Sequence, residues 1–171
     1  MKIVFIEPRA VKANVYSRLL MPLLGPIYLG TILKNRGHQI EIYNEDIYTP
    51  DYSRLNADII GISILTSTTQ RGYRIARKFP REKVIIGGVH ASLLPAEAIQ
   101  FSRQVVIGEA EEVIADVIEG RLQDNFVYGK PVDNLDSLPY PDFSLIKGLK
   151  ASPLITPIST SQLTPNAPAH Y

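Results

Sequence analysis

Short apolar runs alternate with helix-like segments along the first 120 residues of this chain. The runs are Lys2–Ile6, Gln39–Tyr43, Asp58–Leu65, Lys83–Ile86 and Gln104–Ile107. Apolar runs of this length, bounded by turn residues, are typical of strands that are covered on both faces. This alternation constrains the fold more than any other feature, because a strand that returns through a helix pairs in parallel with its neighbour.

Four helical segments are predicted between and after these runs, at residues 23–37, Thr68–Phe79, Ser92–Phe101 and Glu109–Glu119. Five strands joined by helices predict an α/β fold with right-handed crossovers and helices on both faces of the sheet. We therefore expect a flavodoxin-like (Rossmann-like), doubly wound, five-stranded parallel sheet in the order 2-1-3-4-5.

The alternating pattern ends at Gly120, and this predicts three regions. Residues 1–122 are expected to form the α/β domain. Beyond Lys130 lie seven of the 13 prolines, so residues 123–150 are interpreted as a proline-containing linker that packs on the domain.

The last region, residues 151–171, contains the strand-like segment SPLITPISTS and then a tail. An apolar strand without a neighbour leaves its backbone donors and acceptors open for pairing. We expect this segment either to be mobile or to pair with a second copy of the chain in a homodimer.

Composition excludes several classes of protein. Hydrophobic residues make up 45% of the chain and charged residues 20%, which is the balance of a globular domain. The net charge of +1 offers no general attraction to nucleic acid, and the absence of cysteine excludes disulfides and thiolate metal sites. No apolar run reaches about 18 residues, so no membrane span is expected. The start MKIVFIEP is not a secretory signal, and we expect a cytoplasmic location.

In an open parallel sheet the ligand binds outside the carboxyl ends of the strands, so the loops at that edge contain the candidate residues. Three of these loops are rich in hydroxyls, glycines or acids. The candidate cofactor-binding residues are Ser63, Thr66 and Ser67 after the third strand, Gly87, Gly88 and His90 after the fourth, and Gly108, Glu109 and Glu111 after the fifth. No residue is assigned as catalytic and none as a metal ligand.

Each candidate also has an interpretation that needs no ligand. The paired glycines would allow a sharp turn from strand to helix, and the acids would interact favourably with the start of a helix. The hydroxyls would cap the helix at Thr68, and His90 would bond to loop backbone. Tyr28 and Leu29 are predicted to belong to the hydrophobic core and not to the wall of a cofactor-binding site.

The loop after the first strand excludes a nicotinamide cofactor and a P-loop nucleotide, and it leaves flavin mononucleotide open. A nicotinamide cofactor would require GxGxxG there, whereas the sequence reads EPRAVK, and no phosphate-binding loop with its lysine is present. Flavin mononucleotide in a flavodoxin requires a loop rich in serine and threonine after the first strand. Here the hydroxyl run follows the third strand instead.

Five segments taken together resemble one enzyme family. They are PLLGPIYLGTILKNRGHQIEIYNED, DIIGISILTST, VIIGGVHAS, VVIGEAEEVI and LDSLPYPDF. Their order and spacing are similar to those of the cobalamin (B12)-binding radical S-adenosylmethionine proteins, a group that includes anaerobic magnesium-protoporphyrin IX monomethyl ester oxidative cyclases. The resemblance covers residues 1–161, and within residues 151–171 the segment SPLITPISTS resembles the start of the radical SAM barrel and is followed by a tail that does not match. It implies a base-off cobalamin across the sheet edge with its nucleotide tail buried beside the strands.

Two departures from related patterns limit what the resemblance implies. The loop after the first strand lacks the DxHxxG motif whose histidine ligates cobalt in methionine synthases; the histidines are His38, His90 and His170. The CxxxCxxC motif that binds the iron–sulfur cluster is also missing. S-adenosylmethionine and a [4Fe–4S] cluster are therefore expected only in a full-length protein that contains the missing radical SAM domain.

Two functions remain open. In the first, the chain is the cobalamin-binding domain of a radical SAM enzyme that performs methyl transfer or oxidative cyclisation, and the chain is inactive alone. In the second, it is a flavodoxin-like module that binds a small ligand or a partner without cobalamin.

Overall fold

The computed structural model describes residues 1–10 and 22–149. In these residues, six strands form one parallel sheet in the order β2-β1-β3-β4-β5-β6. The strands are β1 Lys2–Glu7, β2 Gln39–Asn44, β3 Ile59–Ser63, β4 Val84–Gly87, β5 Gln104–Ile107 and β6 Phe126–Tyr128. The predicted fold class is confirmed, and the predicted order of the first five strands agrees with the sheet.

Within the described ranges, five α-helices cover the two faces of this sheet. They are α1 Leu24–Asn35, α2 Thr69–Ala76, α3 Val89–Leu93, α4 Pro95–Ala98 and α5 Ile114–Ile118. Residues of α1 and α5 pack on one face, together with Leu145, Ile146 and Leu149. Residues of α2, α3 and α4 pack on the other. Within the described residues, no helix is long and apolar enough to cross a membrane.

Alternation along β1 shows how the sequence builds a core on both faces. Ile3 and Phe5 face α1 and α5, whereas Val4 and Ile6 face α2 and α3. All four side chains are at most 6% exposed. Because successive side chains of a strand point to opposite faces, only a nearly continuous apolar run can serve two cores.

The sixth strand lies where the sequence predicted a linker. β6 pairs in parallel with β5, and Val127 is buried in the core beside α5. The run FVY is only three residues long and is followed by Gly129, Lys130 and Pro131. A segment this short carries no periodic signal, so the prediction of five strands was one too few. The C-terminal segment 151–171, with its predicted pairing, lies outside the described residues.

Two helices differ from their predicted bounds for local reasons. The helix expected at Ser92–Phe101 begins at Val89 and breaks at Leu94, because Pro95 lacks an N–H and restricts the residue before it. The helix expected at Glu109–Glu119 begins only at Ile114. The residues before it form turns, closed by hydrogen bonds from the N–H groups of Val113 and Ile114 to the carbonyl of Ala110.

Glu7, at the end of β1, is a buried acid that fixes the start of α1. Its Oε2 accepts hydrogen bonds from Asn44 Nδ2 at 2.8 Å and from the Leu23 N–H at 3.3 Å. Burial raises the pKa of Glu7 to about 7, against the effect of these two hydrogen bonds, and the nearby charge of Asp46 raises it further. Below about pH 7 the folded protein therefore favours the protonated form of Glu7.

We expect the stability of the protein to fall between about pH 4.5 and pH 7 because of Glu7. The unfolded chain releases this proton near pH 4.5 and the folded chain near pH 7, so the stabilisation is present below this window and is lost across it. The loss amounts to roughly 3 kcal/mol. Urea unfolding at pH 5 and pH 8 measures it, and Glu7→Gln should remove that part of the pH dependence. An identical pH dependence in the variant would contradict the assignment.

Candidate functional site

A cavity of about 210 Å³ lies between α1 and the carboxyl half of the sheet. It opens at the carboxyl edge, where Gly108 and Glu109 are exposed. Most of its wall is apolar and comes from β1, β3, β4, β5, α1 and the turn before α5. The lining residues on which the site depends are Phe5, Leu29, Gly61, Ser63, Gly87, Gly88, Glu111 and Ile114.

Two glycines on one face of the sheet leave the space that becomes the cavity. Gly61 in β3 and Gly87 in β4 both line it, and neither places a side chain in it. The Phe5 ring covers Gly61 so closely that a Cβ there would lie 2.6 Å from the ring. At Gly87 the nearest atom to a Cβ would be the Val106 carbonyl oxygen, at 3.6 Å. The floor is therefore closed at Gly61 and open at Gly87.

Gly88 has a different role from its neighbour. Its φ of 95° lies in the left-handed region, and a Cβ would stand 2.7 Å from the Ile64 carbonyl oxygen and 2.8 Å from the Ile64 nitrogen. The backbone is held there by hydrogen bonds from the Ile64 N–H to the Gly87 carbonyl and from the His90 N–H to the Ile64 carbonyl. Only glycine fits this position without strain.

A single hydroxyl connects two loops of the site. Ser92 Oγ donates to the Gly88 carbonyl at 3.1 Å and accepts from the Gly108 N–H at 3.0 Å. The loop after β4 and the loop after β5 are thereby tied together across the carboxyl edge. Sequence reasoning did not single out Ser92, since its spacing resembles that of any helix residue.

The two acids after β5 differ in their surroundings. Glu109 Oε2 accepts a hydrogen bond from the Val132 N–H at 3.1 Å. Glu111 also lines the cavity, but its buried Oε2 has no hydrogen-bond partner in the described part of the chain. Gly129, just after β6, supports this loop so closely that any side chain there would overlap the Glu109 carbonyl.

The hydroxyls after β3 do not cap α2. The N-cap residue is Thr68, whose hydroxyl bonds to the N–H and carbonyl of Leu65 and not to the first turn of the helix. Ser63 lines the cavity, and no hydrogen bond holds its hydroxyl among the described residues. Thr66 and Ser67 are exposed at the carboxyl edge outside the cavity.

His90 is turned away from the cavity. The residue is 7% exposed, and its Nδ1 lies 3.3 Å from Thr66 Oγ1. The ring therefore contacts the β3 loop through Nδ1, whereas Nε2, at 3.8 Å from Glu97 Oε1, has no hydrogen-bond partner in the described part of the chain. Among the described residues, no group of three or more histidine, aspartate or glutamate side chains could hold a metal ion.

The structure brings six of the nine predicted site residues together around the cavity: Ser63, Gly87, Gly88, Gly108, Glu109 and Glu111. Thr66, Ser67 and His90 lie outside it, and ligand contact by any of the nine stays a prediction. Sequence reasoning missed Phe5 and Gly25 and assigned Leu29 to the core, although all three line the cavity. The one available signal was Gly61, a glycine inside an otherwise apolar strand, which often marks close approach of a ligand or another group.

Comparison with known proteins identifies the family. The model of the B12 binding domain matches residues 11–118, more than half of the chain. The chain belongs to this family. It is also 30% identical over 95 residues to bacteriochlorophyllide d C-8(2)-methyltransferase from Chlorobaculum tepidum. The aligned region covers 52% of this chain and 21% of that protein. The chain thus spans about a fifth of the length of this relative. No solved structure matches the chain.

Alanine substitutions should distinguish the roles of two glycines in this B12-binding domain. Gly88 is required by the backbone conformation, whereas Gly87 leaves space for the cavity. Gly88→Ala should lower the free energy of unfolding by about 1–3 kcal/mol, because it strains a left-handed backbone against Ile64. Gly87→Ala should change it by less than about 1 kcal/mol. Equilibrium denaturation measures both variants. Equal losses in the two variants would contradict this division of roles.

Proposed function

We propose that this chain is the cobalamin-binding domain of a B12-dependent radical SAM enzyme, and that it holds cobalamin base-off at the carboxyl edge of its sheet. Family membership supports cobalamin as the ligand. The single observation that carries the proposal is the apolar cavity beside Gly87, at the edge where an open parallel sheet binds its ligands.

The size of the cavity determines which part of cobalamin enters it. Pockets that enclose drug-sized ligands measure about 300–1,000 Å³, so 210 Å³ admits only part of a molecule as large as cobalamin. The flat aromatic base and the ribose of the nucleotide tail suit the apolar slot above Phe5. The macrocycle then stays outside, at the carboxyl edge.

Exposed apolar side chains near the mouth support that placement. Leu24 precedes Gly25 of the cavity wall and is 52% exposed; Val89 follows Gly88 and is 60% exposed; Leu93, one turn further along α3, is 69% exposed. Side chains of this kind beside a cavity mouth favour a large ligand with apolar surface.

The residues of the chain would bind and orient the cofactor and would not ligate its metal. The His90 ring lies outside the cavity and is engaged by Thr66, and the segment 8–23 contains no histidine. When bound, cobalamin would supply a cobalt centre of the kind used in methyl transfer and radical chemistry. The loops after β3, β4 and β5 would fix the nucleotide tail and thereby the position of the macrocycle.

The radical SAM part of the proposal rests on the sequence segments described above, and one relative supports methyl transfer as the reaction of the longer protein. That relative is a methyltransferase that acts on a bacteriochlorophyllide, as its name states. The oxidative cyclisation suggested by the resemblance has no such support. The 171 residues contain no cysteine, so this chain by itself would not assemble the iron–sulfur cluster.

Cobalamin binding can be tested by incubating the protein with hydroxocobalamin, desalting it and recording its absorption spectrum. We expect corrin absorbance to stay with the wild-type protein and to be lost in Gly87→Leu, whose side chain would fill the cavity. Ala96→Leu is the matched control, because Ala96 is exposed on α4 and does not line the cavity.

Loss of corrin from the wild-type protein would contradict the proposal and favour the flavodoxin-like module without cobalamin. Equal retention by Gly87→Leu and Ala96→Leu would show that cobalamin binds elsewhere. Circular dichroism of each variant establishes that the fold is kept.

The absence of cysteine leads to a second expectation. Anaerobic reconstitution of this chain with iron and sulfide should leave it colourless, and S-adenosylmethionine should remain uncleaved, because no thiolate is present to bind a cluster. Chromatographic detection of 5′-deoxyadenosine above a no-protein control would contradict the prediction that the chain is inactive alone.

A further inference from the structure

Glu111 is one of the two acids that line the cavity. Its Oε2 is buried and has no hydrogen-bond partner in the described part of the chain. The other acid of the wall, Glu109, already accepts from the Val132 N–H. A buried polar atom without a partner costs free energy, and one on a residue that lines a cavity can be satisfied by a ligand that enters the cavity.

The apolar surroundings of Glu111 define what that partner must be. The cavity wall also includes Phe5, Ile85, Val106 and Ile114, whose side chains cannot donate a hydrogen bond. A carboxylate accepts hydrogen bonds and repels anions. The ligand must therefore bring an O–H or N–H donor, and no negative charge, to this wall.

We propose that Glu111 accepts a hydrogen bond from a ribose hydroxyl of the cobalamin nucleotide tail, and that it thereby selects cobalamins that keep the tail over cobinamides that lack it. This inference rests on the proposed function. Within the tail, the phosphate is an anion and the dimethylbenzimidazole base has no N–H. The amide arms, including the one that links the tail to the macrocycle, lie on the side of the macrocycle, which is too large for the cavity. The ribose hydroxyls are the donors that remain.

The opposite side of the cavity suits the phosphate. Ser63 lies in β3 and Glu111 follows β5, with β4 between them, which separates them by about 10 Å at the usual strand spacing. Ser63 has a hydroxyl that no residue of the described chain engages, and no acid accompanies it on that wall. A donor on one side and an acceptor on the other would orient the tail in one direction only.

Binding measurements with cobalamin and with cobinamide test this inference. We expect wild-type protein to bind cobalamin more tightly, and Glu111→Ala to weaken cobalamin binding about tenfold, or about 1.4 kcal/mol, while cobinamide binding stays unchanged. Glu111→Gln keeps an acceptor oxygen and should lose less. Glu112→Ala is the matched control, because Glu112 is exposed and does not line the cavity.

Several results would overturn the inference, and they are distinguishable from failure of the proposed function. Equal binding of cobalamin and cobinamide by the wild type, or an unchanged cobalamin affinity in Glu111→Ala, would show that Glu111 does not bind the nucleotide tail. A lower melting temperature of ligand-free Glu111→Ala, with equal losses for both ligands, would show a structural role. If wild-type protein binds neither corrinoid, the proposed function itself fails.

Discussion

The close approach of Gly88 to the backbone of Ile64 is the contact on which the site depends. It brings the loops after β3 and β4 together at a distance that any side chain on Gly88 would prevent. Hydrogen bonds from Ile64 and His90 hold the chain in that position. Because the turn is made at Gly88, Gly87 is left with its face open to the cavity. Gly88 is thus required by the backbone conformation, and Gly87 leaves the space for the cavity.

The loop after β5 depends on parts of the chain that lie far from it in sequence. Ser92 ties it to Gly88, and the segment after β6 supports it through Gly129 and the Val132 N–H. These contacts accompany the turn at residues 110–113, which replaces the predicted start of the helix and places Glu111 against the cavity with a free oxygen. An unpartnered acid and an unfilled cavity both reduce stability, a cost that is typical of binding sites.

The sequence was sufficient for those features that depend on local patterns. Apolar runs such as Asp58–Leu65 specified strands covered on both faces, and the glycines after β4 and β5 marked loops that the structure brings together. Features that depend on distant contacts were not predictable in this way. Helical spacing assigned Leu29 to the core, because the same face of α1 covers both core and cavity. The three residues of β6 form a strand only because β5 offers an open edge.

A fold of this type does not by itself distinguish cobalamin from a flavin, so the distinction has to come from particular residues. A flavin phosphate in a flavodoxin is bound after the first strand, where this chain has Glu7, a buried acid already engaged by Asn44 and by the start of α1. A buried acid at that position does not replace the loop rich in serine and threonine that binds a flavin phosphate. The open space lies instead beside Gly87, under α1, in an apolar slot with a free hydroxyl on one wall and a free carboxylate oxygen on another. This arrangement suits an uncharged base and sugar with a phosphate at one end, the chemistry of the cobalamin tail.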